Sequence, residues 1–309
     1  MTFTRATHAG QPGYIAPGSP EHSQLITPSK VAAILGVSRW ESAYRLWHRM
    51  KGLLPPDGPK DIFDMGHDFE PAMAAMWKRR NPGWQLSPGE VQYVIPADRF
   101  GYPAAVTLDR RARRGRTRRV VEFKMARKLE EWGDQFTDAA PADYVAQVMA
   151  QMAYTGFTDH PAELMVLGPW FEAHTYVIPF DADIADAIHD QCRAFWESLQ
   201  GDEPPPLDDM VATYEAVRAL HPDINGATVQ VDPDMALHLL MRDRESKNNE
   251  RAMREVKTRF LDAMGNAQTA MCGDIKVADR RPHARGGVAL ALATKNIDQL
   301  INQIEGIPA

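Results

Sequence analysis

The first part of the chain repeats apolar residues with helical spacing. Residues 27–38 open with Thr27 and Pro28, which suit a helix N-terminus, and Gly36 can end that helix. Residues 40–52 and 64–80 place apolar side chains every three to four positions. We therefore predict three helices in this region, with a proline- and glycine-rich loop before the third.

Strand-like segments recur between residues 90 and 180. The predicted strands at 103–109 and 118–125 flank an arginine-rich turn, which predicts a β-hairpin. Helices and strands in this order predict an α/β or α+β fold with a sheet covered by helices. The other predicted elements are strands at 90–96, 162–168 and 173–180 and helices at 142–157 and 181–200.

Composition changes divide the chain into regions. Residues 1–21 have no hydrophobic signal core, and we predict a flexible lead-in there. Residues 22–200 form the predicted core domain, and GDEPPPL at 201–207 is a predicted linker because of its prolines. Residues 208–309 are predicted to form a mainly helical extension. It would contain a long polar helix over 232–265, either continuous or broken into a hairpin, and short strands after it.

The overall composition excludes several classes of protein. The chain has 309 residues, 44% of them hydrophobic, which is enough for a sizeable core. Its formal charge of −6 means that any polyanion must bind a local basic patch. Two cysteines, Cys192 and Cys272, are too few for a disulfide framework or a cysteine-rich zinc module. No apolar stretch is long enough to span a bilayer, so we expect a cytoplasmic protein with no membrane partner.

Two charged residues interrupt the most apolar of the predicted strands. Glu122 and Lys124 stand two positions apart in the segment RRVVEFKM, so their side chains share one face of the strand. Charged side chains in a buried strand need a partner or a function. Asp109 ends the preceding predicted strand, and a hairpin would bring its carboxylate beside that of Glu122.

Two adjacent carboxylates repel each other unless a cation lies between them. Mg²⁺ prefers carboxylate, carbonyl and water oxygens, and the main-chain carbonyl of Phe123 is a plausible further ligand. Lys124 could then orient or deprotonate a water molecule that attacks a phosphodiester. The alternative is an ion pair on the strand surface, but an exposed pair would not need apolar residues around it.

Asp followed by Glu-x-Lys on a hairpin is the PD-(D/E)xK nuclease pattern. Three further motifs accompany it, namely MGHDFEP, ITPSKVAAILGVSRWESAYRLWHRMKG and YVAQVMAQMAYTG. Together, over residues 22–200, they resemble the YqaJ-like viral recombinase family, the phage lambda-type alkaline exonucleases. The resemblance implies a restriction-endonuclease-like core with a central mixed β-sheet flanked by helices.

The resemblance also implies roles for individual residues. Glu70 would be a metal ligand, directly or through water, and Asp109 and Glu122 would bind the same metal. Lys124 would act on the nucleophilic water, and Gln147 occupies the position of the glutamine in the family's Y-x-x-Q motif. Contacts with DNA are expected from Ser29, Tyr144 and Gln151. Alternatively, Ser29 is only a helix cap, and Tyr144 and the glutamines only make hydrogen bonds on an amphipathic helix.

Residues 110–119 hold seven arginines in ten positions. We predict that they form a phosphate-binding tongue beside the metal site, because like charges at this density repel without a polyanion. The alternative is a solvated turn that offsets the acidic chain. The predicted DNA contacts of this segment are Arg110, Arg111, Arg113, Arg114 and Arg116.

The chain departs from the family pattern at three positions. Arg110 stands where many members have glycine directly after the hairpin aspartate, so the resemblance does not extend to this turn position. Met149 stands at the position of a second glutamine. His22 is the nearest candidate for an arginine that helps to bind a 5′-phosphate, so the resemblance does not imply a strict 5′-phosphate requirement.

The resulting hypothesis is a Mg²⁺-dependent DNA exonuclease in which Mn²⁺ can replace Mg²⁺. The resemblance implies 5′→3′ degradation of double-stranded ends, which leaves a 3′ single strand for an annealing recombinase partner. It also implies a trimeric assembly and a phage or prophage origin, with the bacterial cytoplasm as the site of action. Two alternatives stay open. One is a related endonuclease or repair nuclease acting on nicks, flaps or single strands, and the other is a non-catalytic DNA-binding recombination protein on the same scaffold.

Overall fold

The structure is a computed structural model, and the residues that it describes are 6–56, 58, 61–282, 286–294 and 297–306. The chain divides into two compact units, residues 1–223 and 224–309. The first unit contains, in chain order, α1 (Pro20–Ser23), α2 (Pro28–Ile34), α3 (Ala43–Met50), α4 (Asp61–Arg80), β1 (Gln85–Leu86), β2 (Val91–Ile95), α5 (Ala97–Phe100), β3 (Ala104–Leu108), β4 (Arg110–Arg114), β5 (Thr117–Met125), α6 (Ala142–Thr155), β6 (Ala162–Leu167), β7 (Ala173–Ile178), α7 (Ala182–Ser198) and α8 (Val211–Leu220).

A five-stranded mixed sheet lies at the centre of the first unit. Its strand order is β1-β4-β5-β6-β7. β5 and β6 are parallel, whereas the other neighbouring strands are antiparallel. A parallel pair needs a crossover connection, and α6 is part of that crossover. Helices pack on both faces of the sheet, which confirms the predicted α/β class.

Strand β5 contributes to the core on both of its faces. Val121 and Phe123 pack with Met73 and Trp77 of α4 on one face. Val120 packs with residues of α6 on the other face, in the larger hydrophobic cluster of the unit. Because side chains alternate along a strand, Glu122 and Lys124 lie on the α6 face with Val120. Two charged side chains are thereby placed at the interface between the sheet and α6.

Helix α6 has the boundaries that its sequence predicts. Pro141 precedes its first turn, and Gly156 follows its last turn with a φ of 66°. That left-handed conformation suits glycine because it has no Cβ. Helix α4 continues through Pro71, although proline cannot donate a backbone hydrogen bond in a helix interior.

The β-hairpin differs from the prediction in its first strand. Residues 104–108 pair with β2 in a separate two-stranded sheet, and residues 110–114 pair with β5 instead. The predicted arginine-rich turn is therefore mostly a strand, with Gly115 and Arg116 alone at the tip. Buried Ala112 supplies the apolar position that lets this arginine run pack on the sheet. Asp109 lies where the chain passes from one sheet to the other.

The segment before α1 is held against β2. The N–H of Thr7 donates to the carbonyl of Gln92 at 2.9 Å, and the N–H of Ile15 donates to the side-chain oxygen of Gln92 at 2.8 Å. The hydroxyl of Tyr14 donates to Glu90 Oε2 at 2.8 Å. The predicted lead-in thus makes specific contacts over residues 7–15, and residues 1–5 lie outside the described residues.

The second unit begins after α8. Helix α8 packs against α3, so the division between the units lies beyond the predicted linker at 201–207. The long polar helix is continuous, and a three-stranded antiparallel sheet of order β10-β9-β8 follows it. The elements of this unit are α9 (Pro233–Met264), β8 (Thr269–Cys272), β9 (Ile275–Pro282), β10 (Val288–Leu292) and α10 (Ile297–Glu305). Among the described residues, no helix of either unit has the length and apolar character needed to cross a membrane.

Candidate active site

The carboxylate of Glu122 is buried and accepts three hydrogen bonds. The Glu122 side chain lies between β5 and α6, and the residue is only 1% exposed. Lys124 Nζ and Gln147 Nε2 both donate to its Oε1 at 2.6 Å. Gln151 Nε2 donates to its Oε2 at 2.7 Å. Since each carboxylate oxygen can accept about two hydrogen bonds, Oε2 retains one site for a further ligand.

The spacing of the donors follows from the two elements that carry them. Glu122 and Lys124 are two positions apart on β5, so they share a face. Gln147 and Gln151 are four positions apart on α6, so they are neighbours on that helix. Tyr144, one turn before Gln147, has its ring centre 5.4 Å from Lys124 Nζ. The structure therefore brings these predicted residues together around one carboxylate.

Asp109 joins Glu122, Lys124, Gln147 and Gln151 where the chain passes between the two sheets, and these five residues are called the group below. Its Oδ2 accepts a hydrogen bond from the N–H of Phe123 at 2.7 Å. The N–H and C=O groups of one strand residue point towards the same neighbour, so the Phe123 carbonyl also points to the Asp109 side. Pairing between β4 and β5 begins only at Arg110 and Val121, which leaves this end of β5 open for Asp109. Among the residues that the structure describes, Asp109 Oδ1 has no hydrogen-bond donor.

The electrostatics of the group is dominated by negative charge. Burial raises the pKa of Asp109 well above its ordinary value, and the charge of Glu122 raises it further. Lys124 and the Phe123 N–H compensate only in part. Burial alone would lower the pKa of Lys124, but the charges of Glu122 and Asp109 outweigh it and raise that pKa. The ammonium therefore keeps its proton in this environment.

Glu70 lies beside the group and is bound to a different cation. Arg110 Nη1 donates to Glu70 Oε2 at 3.1 Å and also to the main-chain carbonyl of Asp109. His67 Nδ1 lies 3.0 Å from Glu70 Oε1. Ligand atoms of His67, Glu70 and Glu90 lie within 4.8 Å of one another, so they form a second place where a cation could be held.

The residues fit a hard divalent cation at Asp109 and Glu122. Asp109 Oδ1 is available, Glu122 Oε2 has spare acceptor capacity, and the Phe123 carbonyl points to the same side. These are the oxygen donors that Mg²⁺ prefers. A cation there would also offset the repulsion that raises the pKa of Asp109.

Two of the predicted DNA contacts are buried in the protein. Gln151 is 1% exposed and binds Glu122, so it holds that carboxylate instead of facing solvent. Arg110 is 4% exposed, because it lies over the Phe123 ring and pairs with Glu70. Neither side chain can reach a DNA phosphate in this arrangement. Ser29 is exposed in the first turn of α2, where its hydroxyl lies 3.0 Å from that of Thr27.

The remaining arginines of the hairpin lie away from the carboxylates. Arg118 is four strand residues from Glu122, a separation of about 13 Å. The predicted phosphate-binding tongue is therefore not beside the metal site. Arg111 is partly buried and donates to the hydroxyl of Tyr93 at 3.0 Å. The exposed arginines are Arg113, Arg114, Arg116 and Arg118, and we call them the tip arginines.

Aromatic rings support the tip arginines. The guanidinium carbon of Arg114 lies 4.6 Å from the centre of the Trp84 ring, and that of Arg118 lies 5.3 Å from the centre of the Phe157 ring. Such contacts hold the planar guanidinium groups in place without neutralising their charge. Arg119, which is not exposed, pairs with Glu163.

The sequence analysis overlooked Arg39, which borders the group. Its guanidinium binds both carboxylate oxygens of Asp143 at 3.0 and 3.1 Å, and its central carbon lies 5.2 Å from the Tyr144 ring centre. The ring of Tyr144 also stacks on that of Trp132. Arg39 lies in a loop between α2 and α3, and loop residues carry no periodic spacing that would predict their neighbours.

Comparison with known proteins supports the resemblance that the motifs predict. Residues 20–158 match the model of the YqaJ-like viral recombinase domain. No curated protein sequence matches the chain. Among solved structures, an alkaline exonuclease, LHK-Exo from Laribacter hongkongensis, matches at 16% identity and a TM-score of 0.44, covering 58% of this chain and 90% of that chain. The structure of LHK-Exo in complex with dAMP matches at the same identity and TM-score, covering 59% and 90%.

Replacing Asp109 by asparagine should stabilise the protein when no divalent cation is present. The pKa of the Asp109 carboxyl is higher in the folded chain than in the unfolded chain. Such a carboxyl lowers the free energy of unfolding as the pH rises from its unfolded-state pKa towards its folded-state pKa. We expect a higher unfolding midpoint for Asp109→Asn at pH 7 in EDTA, by ~2–4 °C for each kcal/mol of relieved repulsion. The difference should shrink as the pH falls towards the ordinary aspartate value.

Calorimetric melting of both proteins with and without Mg²⁺ checks this expectation. Mg²⁺ should raise the midpoint of the unmodified protein and leave that of Asp109→Asn unchanged. A lower midpoint for Asp109→Asn in EDTA would show that the local repulsion is already relieved by other groups.

Gln151 should affect cation binding through Glu122. Gln151→Met keeps a side chain of similar length but removes the donor to Glu122 Oε2. Loss of a hydrogen bond that orients a metal ligand typically costs ~10–100-fold in metal affinity, and we expect that loss in Mn²⁺ titration calorimetry. The exposed helical residue Gln191 provides a matched control, Gln191→Met. Equal Mn²⁺ affinities of the two variants would contradict the assignment.

Proposed function

We propose that this chain, whose residues 20–158 match the model of the YqaJ-like viral recombinase domain, is a Mg²⁺-dependent deoxyribonuclease that degrades linear double-stranded DNA from its ends. The observation that carries the proposal is the arrangement of Asp109, Glu122 and Lys124. Two carboxylates and an ammonium lie together at one end of β5, and two glutamines hold one of the carboxylates in place. Such a cluster, partly buried and negatively charged, suits metal-assisted hydrolysis of a phosphodiester.

The protein's own groups have separate tasks in this hydrolysis. Asp109, Glu122 and the Phe123 carbonyl would hold the divalent cation. When bound, the cation would supply Lewis-acid polarisation of the phosphodiester and stabilisation of the leaving oxygen. Gln147 and Gln151 keep the Glu122 carboxylate in one orientation, so its free lone pair is directed before substrate arrives.

Lys124 is the group that would position the attacking water. The charges of Glu122 and Asp109 raise its pKa before a cation binds, so the lysine is then a hydrogen-bond donor. A cation at Asp109 and Glu122 would offset those charges, so orienting and deprotonating the water both stay open as tasks of Lys124. The reaction forms a bond from the water oxygen to phosphorus, breaks the bond from phosphorus to the leaving oxygen, and leaves a proton of the water on that oxygen.

The DNA path would run over exposed and partly exposed residues near this group. Tyr144 presents its ring next to Lys124, and Ser29 is exposed on α2, which packs against α6. The resemblance supports degradation in the 5′→3′ direction and a 3′ single strand as product. That product is what a single-strand-annealing recombinase partner would bind, and a trimer would keep the enzyme on its substrate.

The tip arginines would provide a second, weaker contact with DNA. They are exposed, and rings hold two of their guanidinium groups in place, but they lie about 13 Å or more along the strand from Glu122. At that distance they can bind backbone phosphates of the same duplex without taking part in the reaction. Their contribution would be independent of sequence and sensitive to salt.

Alanine substitution of the site residues tests the proposed function. Lys124→Ala should lower the rate of digestion of linear duplex DNA with Mg²⁺ by about 10²–10⁴-fold, the usual range for a group that assists proton transfer in a reaction. Glu122→Ala should be at least as severe because it also removes a metal ligand. The exposed Lys128 gives a matched control, Lys128→Ala, which should retain activity.

The DNA substrate in the same assay separates the alternatives. An exonuclease should spare covalently closed circles and should lose all activity in EDTA. Digestion of closed circles would indicate the related endonuclease. Mg²⁺ binding without digestion of any DNA would indicate a non-catalytic DNA-binding protein, and full activity of Glu122→Ala would refute the site itself.

Replacing two tip arginines should weaken DNA binding without changing the maximal rate. The double variant Arg113→Gln, Arg116→Gln should lose two phosphate contacts and lower the slope of log K against log salt by about 2. The substrate concentration for half-maximal rate should rise, while the rate at saturation stays the same. Lys78→Gln, Arg79→Gln is a charge-matched control on α4, where both residues are exposed. Identical salt slopes for both double variants would assign no DNA contact to the tip.

A further inference from the structure

The arginine next to Asp109 occupies an unusual place. The Arg110 side chain points inwards and is only 5% exposed, although arginine is usually found at the surface. Its guanidinium contacts Glu70 Oε2 and the main-chain carbonyl of Asp109, and it lies 5.8 Å from the Phe123 ring centre. The contact with the Asp109 carbonyl places a fixed positive charge beside one of the residues that would hold the catalytic cation, on the α4 side of the sheet.

The charges of the site can be counted from its side chains. Glu70, Asp109 and Glu122 are three carboxylates, Glu90 beside Glu70 is a fourth, and Lys124 and Arg110 are the two cations in hydrogen-bond contact with the first three or with their backbone. Fully ionised, these six side chains leave two net negative charges. One divalent cation neutralises them. A second divalent cation would leave an excess of positive charge in a partly buried site, which is unfavourable.

Glu70 is also unavailable as a metal ligand unless this pair separates. A guanidinium cannot give up its proton, so Arg110 stays charged at any working pH. Removing Glu70 from it would leave a buried charge without a partner, and that is more costly than breaking an exposed ion pair. The Nε of Arg110 already lacks an acceptor among the described residues, so without Glu70 the hydrogen bond to the Asp109 carbonyl would be left.

We propose that Arg110 replaces a second metal ion, so that the site binds a single divalent cation, at Asp109 and Glu122, while Glu70 serves as the counter-ion of Arg110. This inference rests on the proposed nuclease function and specifies the number of its metal ions. Nucleases with two ions use them to stabilise the attacking and the leaving oxygens. Here the guanidinium provides fixed positive charge on the Glu70 side of the site, and the one metal provides it on the other side.

Mn²⁺ titration of the full-length protein without DNA tests the proposal, by calorimetry and by the electron paramagnetic resonance signal of unbound Mn²⁺. The unmodified protein should bind one ion. Arg110→Gln removes the charge and frees Glu70, and it should bind two ions. Arg110→Lys keeps the charge and should bind one. Two ions bound by the unmodified protein overturn the proposal, as does a single ion bound by a folded Arg110→Gln variant.

Two further variants locate the bound ion. Asp109→Asn should abolish binding of the single ion; if the ion remains, the proposed metal site itself is wrong, which is a different failure from a wrong number of ions. Glu90→Gln should leave the stoichiometry at one, because Glu90 belongs with His67 and Glu70 to the other possible cation site. Loss of the ion in Glu90→Gln would place the metal there and overturn the proposal. Circular dichroism establishes whether each variant is folded. If Arg110→Gln is not folded, the number of Mn²⁺ ions bound by the unmodified protein and by Arg110→Lys decides whether the proposal stands.

Discussion

The burial of the Glu122 carboxylate is the constraint on which the rest of the site depends. A carboxylate at the interface of a sheet and a helix is unstable unless donors surround it. Lys124 and the two glutamines of α6 meet that need, and they can do so only when α6 lies across β5 in one register. The packing of the core and the geometry of the site are therefore set by the same contacts.

The same arrangement explains why the site is charged and yet lies in the core. Val121 and Phe123 anchor β5 to α4 on one face, so the opposite face can carry polar groups without loss of the strand. Asp109 is held by the backbone of the same strand at 2.7 Å. The protein retains electrostatic repulsion between Asp109 and Glu122, which raises the pKa of Asp109 and makes the position receptive to a cation.

Sequence reasoning predicted the site better than the hairpin that supports it. The two-residue spacing of Glu122 and Lys124 and the four-residue spacing of Gln147 and Gln151 are local, so elementary strand and helix geometry places each pair on one face. The switch of the chain from one sheet to another at Asp109 is not local. Nothing in the arginine run distinguishes a turn from a strand, because the outcome depends on which distant strand accepts the pairing.

The charged residues away from the site illustrate the same limit. Arg110 and Arg113 belong to one basic run, yet the first is buried against Glu70 and the second is exposed. Their difference comes from the alternation of β4, which directs Arg110 towards α4, and from the presence of a carboxylate there. Arg39 pairs with Asp143 across more than a hundred residues of sequence, a distance at which spacing has no predictive value.

The parallel pairing of β5 with β6 has a consequence for how the protein reaches its native state. Strands joined by a crossover meet only after the intervening helix has docked, and contacts of this kind form more slowly than those of a hairpin. Because α6 is that crossover and carries Gln147 and Gln151, a folding intermediate with the hairpin formed but α6 undocked would have Glu122 exposed and unoriented. The ordered arrangement around Glu122 would then appear in the last stage of folding, together with the closure of the sheet.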